Sequence, residues 1–233
     1  MIVQTGARLR NTIRFFVALL AATLLPAAAQ AAHWYYDNAL GEVPAAEKIT
    51  PGEPKPVQVL FEFQRDGEPN PKATKVVKPW AFEDIKGTGA FADVVEGPTA
   101  DGAILSIKFN NIVKQEELDK AKKDGFGAGL GFGLFGGVFA TDHYVATLEY
   151  IPHTGAEPVK VEIPHALYMT YGKQKKELVI PGTEVKNGDE AVKTVVRQAL
   201  ARGVNDILAK LAAPAGEPAV AQPAVEAGAE PAV

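Results

Sequence analysis

The chain contains no cysteine, and of its 233 residues only two are methionine, two tryptophan and four histidine. Without cysteine there can be no disulfide framework, thiolate metal site, thiol nucleophile or lipid attached through a thiol. Two methionines are too few for a pliable Met-lined groove. Basic residues do not outnumber acidic ones, and the formal net charge is −4. No broad positive field is therefore available for nucleic acid. No apolar run reaches the roughly 20 residues that a membrane-spanning helix needs. What remains is 47% hydrophobic and 22% charged, a balance that supports a folded core.

The chain opens with an address. Arg8, Arg10 and Arg14 form a positive region without acids, and the uncharged run Phe15–Leu25 follows. Pro26 breaks that run, and Ala29-Gln30-Ala31 satisfies the small-x-small cleavage pattern. This is the layout of a cleaved secretory signal peptide over residues 1–31. Its removal takes away three arginines and no acid, leaving the mature chain more acidic than the whole. The expected destination is the periplasm, with outer-membrane contact as a further expectation.

Residues 32–56 begin aromatic, with His33-Trp34-Tyr35-Tyr36, and turn proline-rich at Pro44, Pro51, Pro54 and Pro56. This lead is expected to carry little regular structure in its second half, with the aromatic cluster pinning the terminus to the fold or stacking on a ligand. Residues 212–233 are almost wholly Ala, Pro, Glu, Val and Gly, which predicts a disordered tail. The domain is placed at 57–211.

Within that domain, alternation predicts strands at Val57–Phe63, Ala103–Phe109, Tyr144–Tyr150 and Val159–Tyr171. Phe91–Val95 is a shorter extended piece. The last two long strands form a hairpin about His153–Pro158, with Pro164 marking a bulge or an edge. Asn70-Pro71 starts a helical stretch that Pro79 kinks or divides. Apolar residues from Val192 to Leu211 recur at spacings of three and four, predicting one long helix, and Asn187 with Glu190 resembles its capping box. The expected fold is α+β and two-layered. A mostly antiparallel sheet of four to five strands carries the long C-terminal helix and the shorter Pro-interrupted helix on one face.

The most unusual stretch is 125–141, GFGAGLGFGLFGGVFAT, with seven glycines, four phenylalanines and no charge. Glycine recurs every fourth residue and also every second. As a helix in water it would lose about 1 kcal/mol per glycine relative to alanine, so an extended or loop-like path into the strand at Asp142 is preferred. Three roles stay open: packing on the domain's own core, a surface for self-association or an envelope partner, and membrane contact. The partner reading names Phe126, Gly129, Leu130, Phe132, Gly133, Phe135, Gly137 and Tyr144.

Catalytic patterns are scarce. Gly131-Phe-Gly133-Leu-Phe-Gly136 matches a dinucleotide fingerprint, but lacks the strand before it and the helix after it. His143 and His165 fall on the hairpin strands, with His165 expected near Ala146 and the two rings on opposite faces, a poor arrangement for a shared metal. No metal and no cofactor is expected.

The segment Lys86-Gly-Thr-Gly-Ala-Phe-Ala-Asp-Val94 follows a pattern, x-G-x-F-x-x-V, in which a helix ends and runs into a strand. With the flanking strands, the Gly-rich stretch before Asp142-His-Tyr144 and the final amphipathic helix, residues 57–210 resemble small proteobacterial outer-membrane lipoproteins of uncharacterised function. Their α/β domain is similar to the N-terminal domain of the Tol–Pal translocation protein and to the curli secretion lipoprotein. The resemblance implies a non-catalytic envelope component and supplies no catalytic residues. The lipid-bearing cysteine of that group is absent. The expected function is a binding or assembly role in the cell envelope. The alternatives are a soluble carrier of an apolar ligand held between sheet and long helix, and an envelope hydrolase, for which no acid/base pair is found.

Overall fold

A computed structural model describes residues 32–114, 138–171 and 178–213. The predicted leader, most of the glycine-rich segment, the Lys173–Lys176 stretch and the C-terminal tail from residue 214 lie outside the described residues.

Eight strands form one mixed sheet: β1 (Ala32–Asp37), β2 (Val57–Arg65), β3 (Glu68–Pro69), β4 (Val94–Val95), β5 (Ile104–Ile112), β6 (Val138–Ile151), β7 (Val159–Tyr171) and β8 (Gly182–Val185). Their spatial order is β3-β2-β5-β6-β7-β1-β8, with β4 also paired to β2. Among the described residues two helices accompany the sheet, α1 (Pro71–Gly87) and α2 (Gly188–Ala212). The α+β class and both helices match expectation, but the sheet is larger and more mixed than predicted. β2 runs parallel to both β4 and β5. The physical reason is α1, which carries the chain back along the sheet between them, as a crossover between parallel strands requires.

The main surprise is the N-terminal lead. Expected to stand before the domain, it supplies β1, an interior strand paired with β7 on one side and β8 on the other. Alternation explains its fit: Trp34 and Tyr36 pack on the core, while Tyr35 lies on the opposite face. Residues 38–56 then carry the chain from one side of the sheet to β2 on the other.

The core follows the predicted alternation. Val57, Val59, Phe61 and Phe63 of β2, Leu105, Ile107 and Phe109 of β5, and Tyr144, Ala146, Leu148 and Tyr150 of β6 are all buried. α1 covers β2 with Val77, Ala81 and Ile85. It is one helix, not two. Asn70 caps it by accepting the Ala73 N–H (3.1 Å), and Pro79 sits on its exposed side, where water can solvate the carbonyl that the missing N–H leaves free.

The hairpin register is Tyr144↔His165 and His143↔Ala166, two residues away from the predicted pairing of His165 with Ala146. The slip is even, so every side chain keeps its face and the two histidines still lie on opposite sides. Pro164 sits in an unbroken β6–β7 ladder. β1 pairs with β7 only from Leu167 onward, so the missing proline N–H falls where β7 is locally an edge.

α2 packs across β7, β6 and β1. Asn187 accepts the Glu190 N–H (2.9 Å), while the Glu190 carboxylate reaches back to the Lys186 N–H (3.2 Å). That capping is close to the box anticipated from the sequence. The tightest approach to the sheet is at Gly203, where a Cβ would lie 2.7 Å from a Leu148 methyl. Leu148 is fully buried, so its side chain can yield only by pushing on its core neighbours. Gly203→Val is therefore expected to lower stability by about 1–3 kcal/mol through overpacking, measured by urea unfolding. Gly87→Ala, at a position open to solvent, should not.

Candidate functional site

Of the residues singled out in the glycine-rich segment, Phe126, Gly129, Leu130, Phe132, Gly133, Phe135 and Gly137 lie outside the described residues. The segment's last four residues are inside and belong to β6, four residues earlier than the predicted strand start at Asp142. Phe139 lies on the sheet face turned away from both helices. It is 36% exposed and stacks on Tyr168, with centroids 5.8 Å apart. Tyr35 pairs across to Tyr168 on that face. Burial, then the neighbouring Asp37 charge and its hydrogen bond, push the Tyr168 hydroxyl up to about 12.

Tyr144 is placed differently. Its ring is 5% exposed and packs against Phe109 at 5.5 Å, in a file of rings continued by Phe63. Its hydroxyl bonds the side chains of Asn111 and Asp142, and burial raises it above the ordinary tyrosine range. Asp142 is held above the usual carboxylate range by local desolvation, against the lowering effects of His143, Arg65 and the Tyr144 hydrogen bond. Tyr144 thus anchors the start of the β6 core from within and offers no surface of its own.

A second cluster was not singled out from sequence. His165 on β7 is 6% exposed and Gln198 on α2 is 2% exposed. The Ala166 N–H donates to His165 Nδ1 (2.9 Å), which makes Nε2 the protonated nitrogen, and this donates to Gln198 Oε1 (2.9 Å). Gln198 Nε2 donates in turn to Glu42 Oε1 (3.1 Å), which also holds Arg197 at 2.8 Å. Burial lowers the His165 pKa, so the ring is neutral where this chain is intact. The signal was present but faint: His165 takes an inward place in the β7 alternation, and Gln198 interrupts the buried stripe of α2.

Beside this chain lies a cavity of about 270 Å³, partly open to solvent, between α1 and the C-terminal half of α2, with the crossing segment lining it at Glu42, Val43, Lys48 and Ile49. Asp84 and Glu83 line its α1 wall, and Arg197, Val204 and Asn205 its α2 wall. Burial pushes the Asp84 carboxyl up to about 6, opposed by Arg197 and reinforced by Glu42 and Glu83. Among the described residues, no group of three or more His, Asp or Glu could hold a metal ion.

No family model matches the chain, and no curated protein matches it. Among solved structures, it is similar to a PelC dodecamer from Paraburkholderia phytofirmans, at 14% identity and a TM-score of 0.32, covering 74% of this chain and 95% of that one. A second crystal form of the PelC dodecamer matches at 11% identity and a TM-score of 0.27, covering 79% of this chain and 99% of that one. An uncharacterised protein matches at 10% identity and a TM-score of 0.27, covering 73% and 95%.

Removing the Tyr144 hydroxyl strips one partner from each of Asn111 and Asp142. Tyr144→Phe is expected to cost about 1 kcal/mol of stability, read by urea unfolding, with the secondary structure unchanged by circular dichroism.

Proposed function

We propose that this chain is a non-catalytic component of the cell envelope, exported by residues 1–31 and acting in the periplasm as a binding or assembly module through the glycine-rich segment 125–141. The observation that carries this reading is the junction of that segment with the sheet. Its last residues are the first rungs of β6, and they set Phe139 on the helix-free face, partly exposed and stacked on Tyr168. An uncharged, phenylalanine-bearing segment therefore continues into an aromatic patch on the folded domain. Glycine at every second residue leaves the backbone open to close approach by another chain. The occupant is a second copy of this chain or another envelope protein. The resemblance to small envelope lipoproteins agrees with such a role.

Two measurements test the reading. Replacing Gly129 and Gly133 together with valine is expected to abolish assembly, seen by light scattering after size-exclusion chromatography and by crosslinking in cells, while the melting temperature is retained. A fall in melting temperature with assembly intact would assign the segment to the domain's own packing. For export, intact-mass analysis of the periplasmic fraction should find a chain beginning at Ala32. A full-length product in the cytosol would overturn the compartment and the role together.

A further inference from the structure

The segment crossing from β1 to β2 is fastened to one stripe of α2. Glu42 holds Arg197 at 2.8 Å and accepts from Gln198 at 3.1 Å. One turn further on, Glu47 holds Arg202 at 3.1 Å. Next, the Ile49 N–H donates to Asn205 Oδ1 at 2.8 Å. At its start the segment is tied to the sheet, where the Asn38 N–H donates to the Pro181 carbonyl (3.3 Å) and Thr183 Oγ1 donates to Asn38 Oδ1 (2.8 Å). Between these ties the segment forms one wall of the cavity described above, so release of the fastenings on α2 would widen it.

Both arginines are shared. Arg197 attracts Asp84 of α1 as well as Glu42, and Arg202 attracts Asp206 of its own helix as well as Glu47. Each fastening therefore places one arginine in an ion pair with one carboxylate and within the field of a second, partly desolvated one. We propose that residues 38–56 form a pH-set strap, which holds fast to α2 along the cavity between α1 and α2 in mild acid and loosens as Asp84 ionises beside Glu42.

The charges facing Asp84 are Glu83 on α1, Arg197 on α2, and Glu42 and Lys48 on the strap. An ionised Asp84 under a fastened strap competes with Glu42 for Arg197 and is denied part of the hydration its charge would gain in water. Opening the strap restores that hydration. A carboxyl that binds its proton more tightly in the closed form favours closure as pH falls through about 6. Asp206 acts in the same direction at the second fastening. Burial raises its carboxyl and Glu47 adds to this, against Arg202 and Lys210. His165 acts oppositely: its neutral ring supports Gln198 and hence Glu42, and its protonation below the ordinary histidine range weakens the folded domain as a whole.

The Ile49 amide reads the strap directly, and the Leu148 amide in β6 reads the core. Amide exchange by NMR, corrected for intrinsic rates, separates local opening from global unfolding. If opening returns Asp84 to its ordinary 3.8, the Ile49 protection factor should rise by up to about tenfold from pH 8 to pH 5, without a matching change at Leu148. Asp84→Asn should hold Ile49 protection high and flatten most of the profile. Arg197→Gln should lower it at every pH. A flat Ile49 profile in the unaltered protein, the same rise in Asp84→Asn, or Ile49 tracking Leu148 throughout would each overturn the proposal. A carboxyl-carbon titration of Asp84 needs no variant: a midpoint near 6 supports the strap, and one near 4 defeats it.

Discussion

The structure depends on the insertion of β1 between β7 and β8. The first described residues of the chain take an interior place in the sheet, while the next strand, β2, lies four strands away on the far side of β7, β6 and β5. Strands in a sheet are about 4.8 Å apart, so the chain must bridge roughly 19 Å before β2 can begin. It does so outside the helices. That single demand produces the crossing segment, its fastenings on α2 and the cavity beneath it. It also explains the prolines at 44, 51, 54 and 56, which suit a path that joins no strand ladder.

A second consequence is a polar thread through a largely apolar core. His165, Gln198, Glu42 and Arg197 link the sheet, the long helix and the crossing segment in one run of hydrogen bonds that ends at the surface. Every buried polar side-chain atom among the described residues has a partner. Satisfied networks of this kind fix the relative placement of the elements they join, since any slip leaves a buried group unpaired. Here they register the crossing segment against α2 more specifically than apolar contact alone.

Much of this was legible in the sequence. The alternations at 57–63, 103–109 and 159–171 found their strands, the three-and-four spacing found α2, and Asn187 found its cap. Each of these is a local signal, written in neighbouring residues. The failures were non-local. His33-Trp34-Tyr35-Tyr36 is too short and too close to a predicted cleavage point to read as an interior strand, and only β7 and β8, more than a hundred residues later, make it one. The parallel pairing of β2 with β5 depends on the crossover of α1. For the candidate sites, the glycine-rich segment stood out by composition. Tyr144, named for its position beside that segment, takes its role from alternation and is buried. The Glu42–Arg197–Asp84 cluster brings together three distant stretches, none unusual by itself.

The open side of β2 carries β3 at one end and β4 at the other, leaving only its middle bare. Each is two residues long, and between them they stopper the ladder at both ends. An intruding strand would find too few consecutive free amides and carbonyls to zip along. At the opposite margin β8 is itself only four residues. Edge-to-edge growth of the sheet from these two margins is thereby disfavoured.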